Sequence, residues 1–216
     1  MQYKYWFFAV SLAVILPGLF SLIKWGLNLS IDFTGGTVGT EIVGPVIGKE
    51  LTINSVKAVI FASLAIILYL AYAFRNWKFG VCAVVALIHD VLVVVGVFSL
   101  LGHFYNIKID ALFVTALLTI IGFSVHDTIV VFDRIRENLP KANGPFEEIV
   151  NKSIYQTLGR SIRTSLTVLF TLLALIIFGG ETIRWFAVAL FIGIFSGTYS
   201  SIFNAAPLLV LWEKRK

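Results

Sequence analysis

Apolar residues fall into six long blocks, at 5–23, 55–74, 79–101, 111–132, 160–178 and 183–212, divided by short polar interruptions. A hydrocarbon core is crossed by roughly 20 residues of helix, and each block is close to that length or longer. The pattern therefore predicts an all-α polytopic membrane protein with six transmembrane helices. Between 133 and 163 the pattern changes. Asn143-Gly144-Pro145 makes a turn, and beyond it Phe146, Ile149, Val150, Ile154, Thr157 and Leu158 recur at helical spacing. Glu147, Glu148, Asn151 and Lys152 take the opposite face, which predicts either an amphipathic helix lying along the cytoplasmic surface or a solvated connector. In the last block Ala189, Gly193, Gly197, Ser201 and Ala205 are four residues apart and form one stripe of small side chains, as a close helix–helix seam in lipid needs. Pro207 follows and predicts a bend or an end to regular helix.

Composition agrees: 58% of residues are hydrophobic and 13% charged, with a mean hydropathy of +0.92, far from a soluble domain. Basic residues set the orientation, because short loops rich in Lys and Arg stay cytoplasmic. With alternating crossings, Lys4, Arg75, Lys78, Arg134, Arg136, Lys141, Lys152, Arg160, Arg163, Lys214, Arg215 and Lys216 share one side, and only Lys24, Lys49, Lys57, Lys108 and Arg184 take the other. Both termini are then cytoplasmic, and the loops around Asp32, Lys108 and Glu181 face outward. The five tryptophans sit at or near block ends, as an interfacial belt requires. The first block outruns a signal-peptide core and lacks a small-x-small cleavage pattern, so it reads as a retained helix. Cytoplasmic Lys and Arg account for the net charge of +5, and no nucleic-acid-binding pattern is present. Cys82 is the one cysteine and reads as packing.

The chemistry is concentrated in Gly122–Glu137, read as GFSVHDTIVVFDRIRE. An ionisable group at bilayer depth costs at least about 2.5 kcal/mol, so Asp127 marks either a proton or ion path or a buried structural pair. Ser124 lies on nearly the same face and can hydrogen-bond the carboxylate or hold water beside it. His126 points about 100° away around the helix. Arg160 and Arg163 enter the fifth block at about the depth of Asp127. Either can hold the acid ionised or release it when helices shift; otherwise they are snorkelling anchors. Asp90, next to His89 in the third block, is the most deeply placed carboxylate, with a proton role and a protonated, hydrogen-bonded role both open. No nucleophile motif or HExxH site is present, which disfavours an enzyme.

Several blocks together carry a specific resemblance: NLSIDFTGG at 28–36, VGPVIG at 43–48, HDV at 89–91, the run 122–137, QTLGR at 156–160 and GTYSSIF at 197–203. They resemble SecF, the subunit that joins SecD in the SecDF protein-export complex of the RND superfamily. The resemblance implies a six-helix RND-type half-transporter bundle paired with SecD in the plasma (inner) membrane of a prokaryote. It implies proton-motive-force coupling to preprotein export beside a SecY-type translocon, with Asp127 and Arg160 at the positions of the proton-path acid and arginine. Ser124, His126, Asp90 and Arg163 are the supporting candidates. No organic cofactor or structural metal is indicated, and the coupling ion is H⁺ or Na⁺. The expected division is a first helix over 1–23, an outward-facing segment over 24–54, helices two to four over 55–133, a cytoplasmic loop over 134–159, and helices five and six with a basic tail over 160–216. One departure stands out: members of that family carry a folded exported domain between the first two blocks, where this chain has only Thr37 to Val43. Either the domain is absent or a segment is closed up in the numbering, and an intact mass well above 23.9 kDa would settle it for the second. An RND exporter half for lipids or small molecules, and a non-titrating structural subunit, are the alternatives.

Overall fold

The computed structural model describes residues 4–38, 41–74, 76–141 and 144–213. Arg75, Asn143 of the expected turn, and the basic tail Lys214, Arg215 and Lys216 lie outside the described residues. Helix α1 spans Lys4–Trp25, α2 Ile31–Thr34, α3 Pro45–Phe74, α4 Trp77–Tyr105, α5 Ala111–Asn138, α6 Phe146–Phe178, α7 Glu181–Ser200 and α8 Ala206–Glu213. Two short strands, β1 (Gly36–Val38) and β2 (Glu41–Val43), pair antiparallel with Gly36 opposite Val43, a small addition to the all-α expectation. Six helical stretches are long and apolar enough to cross a membrane, the last running through α7 and α8.

Two boundaries differ from the apolar pattern. Helix α3 starts at Pro45 rather than at the edge of the apolar block, because Pro at the first helical position has its φ preset and loses no bond. The amphipathic stretch and the fifth apolar block are one uninterrupted helix, α6, instead of a surface helix followed by a membrane helix. Gly159 between them carries no turn signal of its own, and a lone helical Gly costs only about 1 kcal/mol.

Half of the most apolar stretch of α4 and of α5 is buried, against 6% for α3, so α4, α5 and the last helix form the centre and α1, α3 and α6 surround them. The small-residue stripe lies within the chain, against α5. A Cβ on Gly193 would fall 2.4 Å from Ile120 Cδ1, and one on Gly197 would fall 3.2 Å from the Ser124 Cα. A second close crossing joins α1 to α4, where a Cβ on Gly18 would stand 2.8 Å from the Gly96 Cα. Pro207 acts as expected. It has no N–H to give and its ring would meet the carbonyl one turn back, so regular helix yields to a π-helical turn at Ser201–Ala205.

The loops before α2 and before α5 are tied together. Asn28 donates to Asn106 Oδ1 at 2.8 Å, Ser30 N–H to the Ile109 carbonyl at 2.9 Å, and Ile109 N–H to the Asn28 carbonyl at 2.8 Å. Asp110 caps α5 by accepting from the Phe113 N–H, and Asp32 accepts from the Ala111 N–H at 3.1 Å, so two carboxylates meet the positive end of one helix. Trp25 stacks on His103, while Trp77 meets Trp212 edge-on and Lys78 pairs with Glu213 near that end.

The apolar core is divided. One cluster gathers Phe74, Phe79, Phe132, Ile135 and Leu209, the other Phe98, Phe113, Ile120, Leu190 and Ile194. Between them α4 contributes His89 and Asp90, α5 contributes Ser124, Asp127 and Thr128, and α7 contributes Ser196, Gly197, Thr198 and Ser200, all polar or small.

Candidate functional site

This polar layer contains two carboxylates with unlike surroundings. Asp90 is fully buried, and each of its oxygens receives two donors. Oδ1 faces the Ser196 hydroxyl at 2.7 Å and His89 Nδ1 at 3.0 Å, while Oδ2 accepts from Ser124 at 2.6 Å and Ser200 at 2.7 Å. Those donors come from α4, α5 and α7, so Asp90 joins the three central helices at one point. The absent side chain at Gly197 lets α5 bring Ser124 this close, because a Cβ there would press on the Ser124 Cα at 3.2 Å and its Cβ at 3.3 Å.

Asp127 is 3% exposed; the Thr198 hydroxyl lies 3.2 Å from its Oδ2, and the Ser165 hydroxyl of α6 stands beside it as a second donor. Thr198 in turn lies 2.6 Å from the Ser165 hydroxyl of α6, and the Ile194 carbonyl of its own helix, 2.9 Å away, competes with Asp127 for its single hydroxyl proton. Helix α7 therefore presents hydroxyls to both acids: Ser196 and Ser200, one turn apart, meet Asp90, and Thr198 between them meets Asp127. Helix α6 lines its buried face with Ser153, Thr157, Ser161 and Ser165, again one turn apart.

Ser124 bonds Asp90 rather than Asp127, correcting the expectation from helical spacing, because the close α5–α7 crossing turns its hydroxyl toward α4. His126 is exposed. Arg160 and Arg163 are exposed on α6, and neither lies within ion-pairing distance of Asp127. Helix α6 turns its serine and threonine face to the bundle, and the two arginines lie off it. At the basic end of α5, Arg134 donates to Gln156 at 2.7 Å and Asn138 to Ser153 at 2.8 Å, fastening α5 to α6.

Sequence reasoning missed Ser165, Ser196, Thr198 and Ser200 as individual site residues. Their signal was present: hydroxyls at one-turn spacing inside apolar helices, which a charge-led reading passes over. Asn204, on the π-helical turn, was missed as well. It exchanges bonds with Ser11 of α1 at 2.8 and 3.0 Å. Among the described residues, no cluster of three or more His, Cys, Asp or Glu side chains is placed to hold a metal ion.

Residues 27–215 match the family described as protein export membrane protein SecD/SecF, C-terminal. The protein translocase subunit SecF of Thermobaculum terrenum is 43% identical over 297 aligned positions, covering all of this chain and 94% of that protein. Because this chain has 216 residues, that relative carries additional sequence inside the match. The SecDF of Thermus thermophilus is 49% identical over 83% of this chain and 24% of its own length. Among solved structures, the crystal structure of SecDF from Thermus, titled a translocon-associated membrane protein, superposes with a TM-score of 0.91 at 35% identity. It covers all of this chain, which spans 38% of that longer chain. SecDF in a form titled super-membrane-facing gives 0.87 at 34% identity, with the same coverage.

Proposed function

The chain belongs to the SecD/SecF C-terminal family of protein export membrane proteins, and from that premise we propose that it is an accessory, non-enzymatic subunit of the Sec translocase. It uses proton flow through its helix bundle to promote preprotein export. One observation carries the proton-coupled reading: Asp127 is a carboxyl group inside a membrane-spanning bundle, bonded at 3.2 Å by Thr198 and next to a chain of hydroxyls that continues through Ser165. A group held by a single bond can exchange a proton with modest rearrangement, whereas one held by four must first lose a donor. Arg160 is the gate. In the arrangement described it stands clear of Asp127, so coupling requires α6 to turn or slide against α5, and the hydroxyl-lined face of α6 supplies a surface on which such a movement exchanges one hydrogen bond for another.

The partner is a SecD-type half. Support comes from Thermus thermophilus, whose SecDF carries a region like this chain within one longer polypeptide, and from α3, whose apolar surface is the least buried of the six spans. A SecY-type channel and preproteins complete the assembly. The setting is a prokaryotic plasma membrane with both termini cytoplasmic, supported by the balance of Lys and Arg between the loops. The β1–β2 pair is the outward junction at which an exported domain would attach. No organic cofactor enters this mechanism.

The test is gradient-driven preprotein export in vesicles containing a SecD-type partner, comparing wild type with Asp127→Asn and Arg160→Gln at equal assembly. Loss of the gradient-dependent component in both variants is expected. Unchanged stimulation in Asp127→Asn would overturn the relay, and a dependence on a Na⁺ gradient alone would replace H⁺ as the coupling ion.

A further inference from the structure

The Asp90 cluster contains a titratable group that the relay through Asp127 does not use. His89 is buried at 9% exposure; its Nδ1 is engaged with Asp90, and its Nε2 is shut off from the surface with no hydrogen-bond partner among the described residues. The only other such side-chain atom among them is the Ser161 hydroxyl, a group that does not exchange between charge states at ordinary pH.

Protons cannot enter the cluster through Asp90 without undoing it. A carboxylate has about four lone-pair sites, and here two donors face each oxygen. Adding a proton to either oxygen turns an acceptor into a donor and sets it against a hydroxyl or imidazole N–H already pointing at it. The bond to a carboxylate also fixes the neutral tautomer of His89, because Nδ1 must carry the hydrogen, and this leaves a free lone pair on Nε2. A proton arriving at Nε2 disturbs none of the four bonds to Asp90. It produces an imidazolium in direct contact with a carboxylate, a pair whose charges cancel inside the bundle.

We propose that His89 is a second proton-handling residue of this bundle, accepting and returning a proton at Nε2 while Asp90, clamped by Ser124, Ser196 and Ser200, serves as its fixed counter-charge. Two further titratable groups face the cluster. Asp127 comes from α5, and Tyr199 comes from α7 with its ring 6.5 Å from the imidazole. Helix α1, packed along the other side, has no ionisable side chain between Tyr5 and Lys24. The proton is taken up as a cation and given back as one, so no redox partner is involved. This step rests on the proton-coupled reading of the bundle, but its test is separate from that of Asp127.

The chain has three histidines, and His103 and His126 are both exposed. A His103→Gln, His126→Gln double variant of the full chain in lipid bilayers leaves His89 as the sole source of histidine ¹⁵N resonances. Spectra taken from about pH 9 down to about pH 5, the range in which histidines commonly change charge, are expected to pass from the Nδ1–H neutral pattern to the imidazolium pattern. Asp90→Asn should abolish the preference for Nδ1–H. A resonance that stays neutral throughout, or a neutral form carrying its hydrogen on Nε2, overturns the proposal whatever Asp127→Asn does in export. In vesicles with a SecD-type partner, His89→Gln at equal assembly should lower the gradient-dependent component at least several-fold, and full stimulation would also overturn it. If that variant does not assemble, the spectra decide alone.

Discussion

The surroundings of Asp90 and Asp127 differ in the number of bonds and in the number of helices that supply them. Asp90 takes four contacts from three helices, including its own, and Asp127 takes one long bond from Thr198 of α7, with Ser165 of α6 beside it. On the proton-coupled reading proposed above, the two acids divide between them what a transport bundle needs. A saturated carboxylate fixes the positions of its donors, while a sparsely bonded one can change its state or its partner without dismantling the helices. Depth in the membrane, which singles out both acids in the sequence, does not distinguish them; the count and origin of donors does.

The sharpest way to break this contrast is to remove each acid in turn and measure unfolding in micelles. Asp90→Ala leaves three serine hydroxyls and an imidazole N–H buried without their acceptor and should cost about 3–5 kcal/mol. Asp127→Asn should cost less than about 1 kcal/mol, since only one long bond is at stake. Equal losses would mean that the bonding difference has no energetic meaning. A smaller but still large effect should follow from Gly193→Val, because the added Cβ would overlap Ile120 and force α7 from α5, at about 1–3 kcal/mol by the same unfolding measurement. Tolerance of valine there would show that the seam is looser than its spacing. Ser124→Ala removes one of four donors to Asp90 and should cost about 1 kcal/mol. Thr198→Val keeps the shape but deletes the hydroxyl between Ser165 and Asp127, and should cost about 0.5 kcal/mol while reducing gradient-driven export more than Ser124→Ala does. The reverse order in export would move the working acid from Asp127 to Asp90.

Much of the architecture was legible because membrane helices announce themselves through length and apolarity alone. The six spans, the small-residue seam at Gly193 and Gly197, and the interruption caused by Pro207 each follow from one local physical constraint. The start of α3 at Pro45 and the continuity of α6 through Gly159 were not legible, since a helix can extend past the membrane wherever nothing breaks it. The site was legible only by its charges. Asp127 and Asp90 stand out against apolar neighbours, whereas the partner of Ser124 depends on how α5 rotates against α7, a tertiary fact that helical spacing does not contain. The distance between Arg160 and Asp127 is equally a matter of which face α6 turns inward, and the one-turn run Ser153, Thr157, Ser161 and Ser165 was the sequence's hint that this face carries hydroxyls.

The junction at Asp32 has a mechanical consequence. Its carboxylate holds the first N–H of α5, and Asp127 sits on the same helix about 24 Å farther along the axis. An α-helix is stiff over that length, so the Asp32 junction and the acid behave as the two ends of one push rod. Any load hung on the β1–β2 pair reaches the polar layer as a stroke or a twist of α5, and a change at Asp127 is felt at that pair through the same shaft.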